Sequence, residues 1–183
     1  MSIKINYTKK ASNKSTSNLV LFVDEKFNTS SLKKYLSNTE ISYINDLLKN
    51  SDLKKNMFFY EINSKKKIIL ISIKKNLKNF DIENLGAEFY DKINYGKNKE
   101  YFINTDSVIG KHESFIGHFL HGLKLKSYEF NKYKTKKVTR VISINVMGKK
   151  NKPSNQNQLK FNALEEGTFY ARDLVSEPGN ILH

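Results

Sequence analysis

Cysteine is missing altogether from the 183 residues, which removes disulfides and thiolate metal ligands and fits a reducing compartment. Arginine is nearly missing: Arg140 and Arg172 stand alone, and every other basic residue is lysine. The planar guanidinium is the preferred bidentate reader of phosphates and base edges. Its scarcity argues against specific nucleic-acid readout, although the net charge is +14. Asparagine and isoleucine are abundant beside lysine, the composition of an AT-rich coding sequence. The lysines are also scattered (Lys33 and Lys34, Lys54 and Lys55, Lys65 to Lys67, Lys74 and Lys75, Lys134 to Lys137), which suits a solvated surface. No stretch approaches the roughly 18 apolar residues of a membrane span, and Met1–Tyr7 lacks the apolar centre of a signal peptide. A soluble, cytoplasmic protein without a membrane partner is expected. Neither phosphate-cradling glycine motif, G-x-x-x-x-G-K-[ST] or G-x-G-x-x-G, is present, and there is no internal repeat or heptad pattern.

What is there suits one domain with a sizeable core: 38% of the residues are hydrophobic. Ile3, Ile5 and Tyr7 alternate with polar residues as a short strand, and residues 9 to 18 read as a polar loop. Asn18–Val23 is a buried strand, followed by a connection from Asp24 to Ser31. Ser37 and Glu40 form a capping box ahead of a helix with Ile41, Ile44, Leu47 and Leu48 on one face. Met57–Ile62 and Ile68–Ile73 read as strands joined by a hairpin turn at Asn63–Lys66. The next helix starts at Phe80-Asp81, with Asp81 as its cap and Phe80 stapled to Leu85. It buries Ile82, Leu85, Phe89 and Ile93 and ends at Gly96. Glu100–Ile103 is a strand, and Ser114–Leu125 a helix with Ile116, Phe119, Leu120 and Leu123 inward. Val138–Val146 is the last strand, and a polar loop runs from Gly148 to Asn157. Strands alternating with helices imply an α/β sandwich with a mixed central sheet.

The final stretch is a helix that meets a breaker. Leu164, Ala171, Leu174 and Val175 share one face, with Gly167 on it for close packing, and Pro178-Gly179 end it. That face is expected to be only partly covered by the rest of this domain, the remainder belonging to a following domain or a neighbouring subunit. The segment Ala171-Arg-Asp-Leu-Val-Ser-Glu-Pro-Gly-Asn-Ile-Leu182 resembles the A-R-D-L-V-N-E-P-x-N-x-L segment of the leucyl (cytosol) aminopeptidase family. There it joins an N-terminal domain to the catalytic domain. A second stretch of the family, G-x-x-L-x-x-Y-x-F-x-x-Y-K, is matched by Gly122, Leu125, Tyr128, Phe130, Tyr133 and Lys134. The resemblance covers about the last third of the chain by motif and the rest by element order.

The resemblance implies a macro-domain-like three-layer N-terminal domain over residues 1–153. Residues 154–183 are then the interdomain linker helix and the start of the catalytic domain. Arg172, Asp173, Glu177, Pro178 and Asn180 become linker and docking residues, and Gly122, Tyr128, Phe130, Tyr133 and Lys134 structural ones. The family removes N-terminal residues from peptides with two divalent metals, zinc or manganese, and assembles as a hexamer. Its metal ligands and catalytic residues lie outside the matched stretches, so no catalytic residue, metal site or cofactor is expected within this chain. The domain is expected to support oligomer assembly and access to the active sites. A DNA-binding regulatory module is the alternative, since some bacterial members of the family act on DNA; a free-standing interaction domain is a third reading.

Two constellations invite a metal reading and do not sustain it. His118 and His121 are three apart on one helix, with His112 and Glu113 nearby, but the order is not His-Glu-x-x-His and no cysteine can complete a site. Asn104-Thr105-Asp106 echoes the start of the family's N-T-D-A-E-G-R-L metal signature but continues without its glutamate and arginine. It reads as a strand end turning into a helix, with Asp106 or Ser107 as the cap. Arg172, Asp173 and Glu177 weigh between a solvated helix end, where ion pairs contribute little, and the docking role that the resemblance implies.

Overall fold

The computed structural model describes residues 3–8, 18–96, 99–110, 112, 114–135, 141–179 and 181. Six strands form one mixed sheet in the order β1-β6-β5-β2-β4-β3. They are β1 Ile3–Tyr7, β2 Asn18–Asp24, β3 Met57–Asn63, β4 Lys66–Ile73, β5 Glu100–Asn104 and β6 Ile142–Met147. Every neighbouring pair is parallel except β3 with β4. That pair is the expected hairpin, closed by Ser64 and Lys65, with the Lys65 amide donating to the Asn63 side chain at 2.9 Å. The parallel pairs need crossovers, and helices supply them.

Alternation along β2 and β4 builds a core on each side of the sheet. Val20 and Phe22 with Ile69 and Ile71 face helices α2 (Asn79–Ile93) and α3 (Phe115–Lys126). Leu19, Leu21 and Val23 with Ile68 and Leu70 face α1 (Asn38–Lys49) on the other side. Three layers result, the α/β sandwich expected. Phe22 meets Phe115 and Phe119 edge to face, with ring centroids 5.3 and 5.6 Å apart, the arrangement that the aromatic quadrupole favours. The long last helix, α4 (Asn155–Ser176), lies outside the sandwich against α3.

Local signals held to different degrees. The Ser37–Glu40 capping box is present in both directions. In α1, Ile41, Ile44 and Leu48 are buried but Leu47 is exposed. At α2 the cap lies three residues earlier than expected: Lys78 takes the place of Asp81, which sits at the third helical position and accepts the Lys78 amide at 2.9 Å. Phe80 consequently faces solvent, and Leu77, just before the cap, packs against the core instead. A 3-10 turn at Ser30–Lys34, burying Leu32, occupies what reads in sequence as a plain connection. Strand β6 begins at Ile142; the expected start, Val138 to Arg140, lies outside the described residues.

Helices α2 and α3 cross with their backbones in contact. A methyl group at Gly86 would overlap the Phe119 carbonyl, and one at Gly122 the Glu83 carbonyl. Gly122 is therefore fixed by close approach. Nothing lies within 4 Å of Gly167, so the close packing expected there is absent from this chain.

Candidate functional site

The site is the seat of α4 on α3 and on the segment that follows α3. It has two parts. In the first, Phe161 lies against Gly117, whose missing side chain makes room for the ring. The imidazoles of His118 and His121 flank Phe161 at 5.0 and 5.1 Å. One turn on, Glu165 is 2% exposed. A buried carboxylate must be paired, and Glu165 is: it contacts His121 Nδ1 at 3.1 Å and accepts from Lys124 Nζ. Lys124 also donates to Asn162 Oδ1 at 3.1 Å. Burial, with Glu165 second, pushes the nearby Tyr7 phenol up to about 12.

In the second part, the Tyr128–Lys134 segment grips the end of α4. The Tyr128 ring stacks on Phe169 at 5.5 Å, and its hydroxyl donates to Asp173 Oδ1 at 2.7 Å. Burial and that carboxylate hold the phenol above its ordinary value. Arg172 lies over the same Tyr128 ring: its guanidinium is 5.5 Å from the centroid and donates to the Leu125 carbonyl at 2.7 Å. That carbonyl is in the last turn of α3, where cations are favoured. Glu177 accepts from both Lys132 Nζ and the Tyr133 hydroxyl. The Lys132 ammonium, then Tyr133, holds the Glu177 carboxyl below the usual carboxylate range. Glu177 has ψ 139°, the extended backbone that Pro178 imposes on the residue before it, and there α4 stops.

The two stretches singled out in the sequence thus meet side chain to side chain. Gly122, Leu125, Tyr128 and Arg172 line one open cleft of 440 Å³ beside the contact. Phe130 packs on Tyr133, with centroids 5.8 Å apart. Lys134 and Pro178 are exposed, and Asn180 lies outside the described residues. Sequence reading missed Phe161, Glu165 and Lys124; the signal was a glutamate four residues from an aromatic on a helix facing the His118–His121 face.

The opposite face of α4 is uncovered, as expected: Leu164, Leu174 and Val175 are 49%, 40% and 87% exposed.

The two histidines turn Nδ1 to carboxylates, His118 to Glu83 at 2.8 Å and His121 to Glu165 at 3.1 Å. Among the described residues no group of three or more His, Cys, Asp or Glu is placed to hold a metal ion. The carboxyl ends of the strands, where open α/β sheets bind ligands, are braced by the chain itself. Asp106 accepts the Lys149 and Lys150 amides at 2.8 and 2.6 Å, and the Asn104 side chain accepts the Asp106 amide. The cap is Asn104, in place of the expected Asp106 or Ser107. No helix among the described residues is long and apolar enough to cross a membrane.

No protein-family model and no curated protein matches the sequence. Solved structures do match the fold. A mutant of tomato leucine aminopeptidase aligns with a TM-score of 0.71 and 16% identity, over 98% of this chain and 39% of that one. The cytosol aminopeptidase of Coxiella burnetii aligns at 0.60 and 11%, over 97% of this chain and 34% of its own. The bottromycin maturation enzyme BotP aligns at 0.64 and 11%, over 91% and 34%. This chain therefore has the fold of about one third of each of these proteins, a share that fits the N-terminal domain that the sequence resemblance implies.

Proposed function

We propose that residues 1–153 are the non-catalytic N-terminal domain of a two-metal leucyl aminopeptidase, and that 154–183 form the linker leading into its catalytic domain. The observation that carries this reading is the meeting of the two family-like stretches. Tyr128 and Tyr133, 45 and 44 residues before their partners, bind Asp173 and Glu177, while Arg172 binds the end of α3. Such a contact sets the direction in which the chain leaves the domain. Arg172, Asp173 and Glu177 are the gripping residues, and Pro178 and Asn180 begin the exit. Gly122, Tyr128, Phe130, Tyr133 and Lys134 form the seat. The parent acts on peptides in the cytoplasm as a homo-hexamer, with zinc or manganese held by its other domain, and this domain supports assembly and governs access to the active sites.

The test is an assay on leucine p-nitroanilide with added manganese or zinc, run on the 183-residue chain and on the product of its reading frame extended past the His183 codon. Metal-dependent turnover is expected from the extended product and none from the 183 residues. Turnover by the 183-residue chain itself, or an extended frame without an aminopeptidase domain, would overturn the proposal.

A further inference from the structure

Strand β3 ends the sheet. β4 pairs with it on one side and, among the described residues, no strand pairs with it on the other. In an antiparallel ladder, every second residue of an edge strand points its N–H and C=O away from its neighbour. The Ser72 amide donates to the Asn56 carbonyl at 2.8 Å, directly across the pair. Counting on from that bond, Phe58 with Leu70 and Tyr60 with Ile68 are hydrogen-bonded pairs, and Met57, Phe59 and Glu61 turn their backbone groups outward. Among the described residues those outward groups have no hydrogen-bond partner. The edge runs about 14 Å from Met57 to Glu61, and the register shift between Glu61 and Asn63 ends it.

A free edge is commonly guarded by charge, and the charge here is of one sign. Lys54 and Lys55 precede the strand and Lys65 stands in the turn after it, all three exposed. Among the described residues none of them is in an ion pair. The acids nearby are committed elsewhere: Glu40 to Lys66, Glu61 to Lys67, Asp52 to the Lys54 amide at 3.1 Å and Glu88 to the Asn56 side chain at 2.9 Å. A second copy of this edge is therefore a poor occupant. Antiparallel pairing would set Lys54 and Lys55 beside the other copy's Lys65, and parallel pairing would set each lysine beside its own counterpart. Like charges placed opposite each other destabilise a strand pair, and each chain carries +14 in all. A strand with carboxylates beyond both its ends meets unpaired cations instead.

Side chains of an added strand would alternate between the two faces of the sheet. On the α1 side, Phe58 lies edge-on to Phe27 at 4.8 Å and stacks on Tyr60 at 6.0 Å. On the α2 side, Phe59 stacks on Phe89 at 6.5 Å. Both rings are only partly buried, so an apolar side chain on either face of the added strand would complete their cover.

We infer that the free edge of β3 docks an extended, acid-flanked segment of another polypeptide, added to the sheet as a further strand beside Met57–Glu61. Main-chain bonds supply the affinity in such docking, and the flanking charges select the partner. The inference rests on β3 and its lysines and does not require the aminopeptidase reading.

The probe is a capped peptide, Glu-Glu-Val-Thr-Val-Thr-Val-Glu-Glu, titrated into the full chain at low salt. Binding is expected at about 10–100 μM. Without peptide, the outward Phe59 and Glu61 amides should exchange with solvent faster than those of Phe58 and Tyr60, and saturating peptide should slow both by about tenfold or more. Methylating alternate backbone nitrogens of the peptide gives two isomers of equal charge, one in phase with the edge and one out of phase. One should lose binding and the other keep it. Reversing Lys54, Lys55 and Lys65 to glutamate together should weaken binding by about tenfold or more and favour a lysine-flanked counterpart of the peptide. All three positions are exposed, so circular dichroism should be unchanged. Equal binding of the two methylated isomers would mean attraction to lysines alone and would overturn the inference. So would failure to bind at about 1 mM, unchanged exchange at Phe59 and Glu61 in the bound state, or a dimer in sedimentation velocity that the peptide dissociates.

Discussion

Replacing Gly122 by alanine adds one methyl group at the crossing of α2 and α3. Two effects oppose each other. Alanine in a helix interior is favoured over glycine by about 1 kcal/mol. Against that, the new carbon would lie 2.5 Å from the Glu83 carbonyl carbon and 2.6 Å from its α-carbon. These are backbone atoms, so no side chain can swing aside and the helices must separate. Overpacking of this kind costs typically about 1–3 kcal/mol, sometimes more, and the rigid neighbour places this site at or above the top of that range. The net expectation is a loss of about 2 kcal/mol. At about 2–4 °C per kcal/mol for a chain of this size, the thermal midpoint should fall by about 4–8 °C. Gly167→Ala is the matched control: nothing stands within 4 Å, so it should gain about 0.5–1 kcal/mol and raise the midpoint. Melts followed by circular dichroism at low micromolar protein would measure both. A Gly122→Ala chain as stable as the parent, or a Gly167→Ala chain less stable, would refute the packing argument.

Three further outcomes are expected. Glu177 is held below its ordinary value by Lys132 and Tyr133; a depressed carboxyl contributes stability above its unfolded value and loses it as pH falls through the folded one. Carboxyl NMR should therefore give Glu177 a midpoint below 4.5, moving back towards that value in Lys132→Met and Tyr133→Phe. Glu165→Gln leaves the half-buried Lys124 ammonium without its carboxylate and should cost about 2 kcal/mol in urea unfolding. Lys124→Met with Glu165→Leu should recover most of that loss, and no recovery would mean that the pair is not the source. Binding of a mixed-sequence DNA duplex should be weak, indifferent to sequence and lost near physiological salt. Six phosphate contacts would weaken binding by roughly three decades between 50 and 200 mM salt, and submicromolar, sequence-selective binding at 150 mM would promote the DNA-binding reading.

The strands and the three core-facing helices were legible because their signals are local. The Asn18–Val23 and Ile68–Ile73 runs are too apolar for anything but a strand buried on both faces, and β2 and β4 are the centre of the sheet. Where competing starts lay within one turn of each other, the sequence was ambiguous. Either Lys78 or Asp81 could open α2; both place an acid in the first turn, and Leu77 rather than Phe80 had the core within reach. Asn104 likewise won the cap over Asp106, because Asp106 was drawn to the Lys149 and Lys150 amides across the loop. That competitor is 43 residues away in sequence and leaves no local trace.

The seat of α4 was half legible, and the missing half has a definite cause. Apolar periodicity correctly found a face on α4, but it was the face turned from the domain. The face that docks is anchored by Phe161 over Gly117 and by a buried glutamate, and a glutamate scores as solvent until its partners are known. His121 and Lys124, three apart on α3, are those partners, and each would be unremarkable without the other helix. Periodicity reports where apolar side chains lie; it does not report which neighbour they meet. Once a polar anchor has taken the inner face, an apolar stripe left over on the outer face is surplus to the fold of this domain. Its exposure at Leu159, Tyr170 and Val175 costs solubility without stabilising the sandwich. That stripe is left for a second surface to meet.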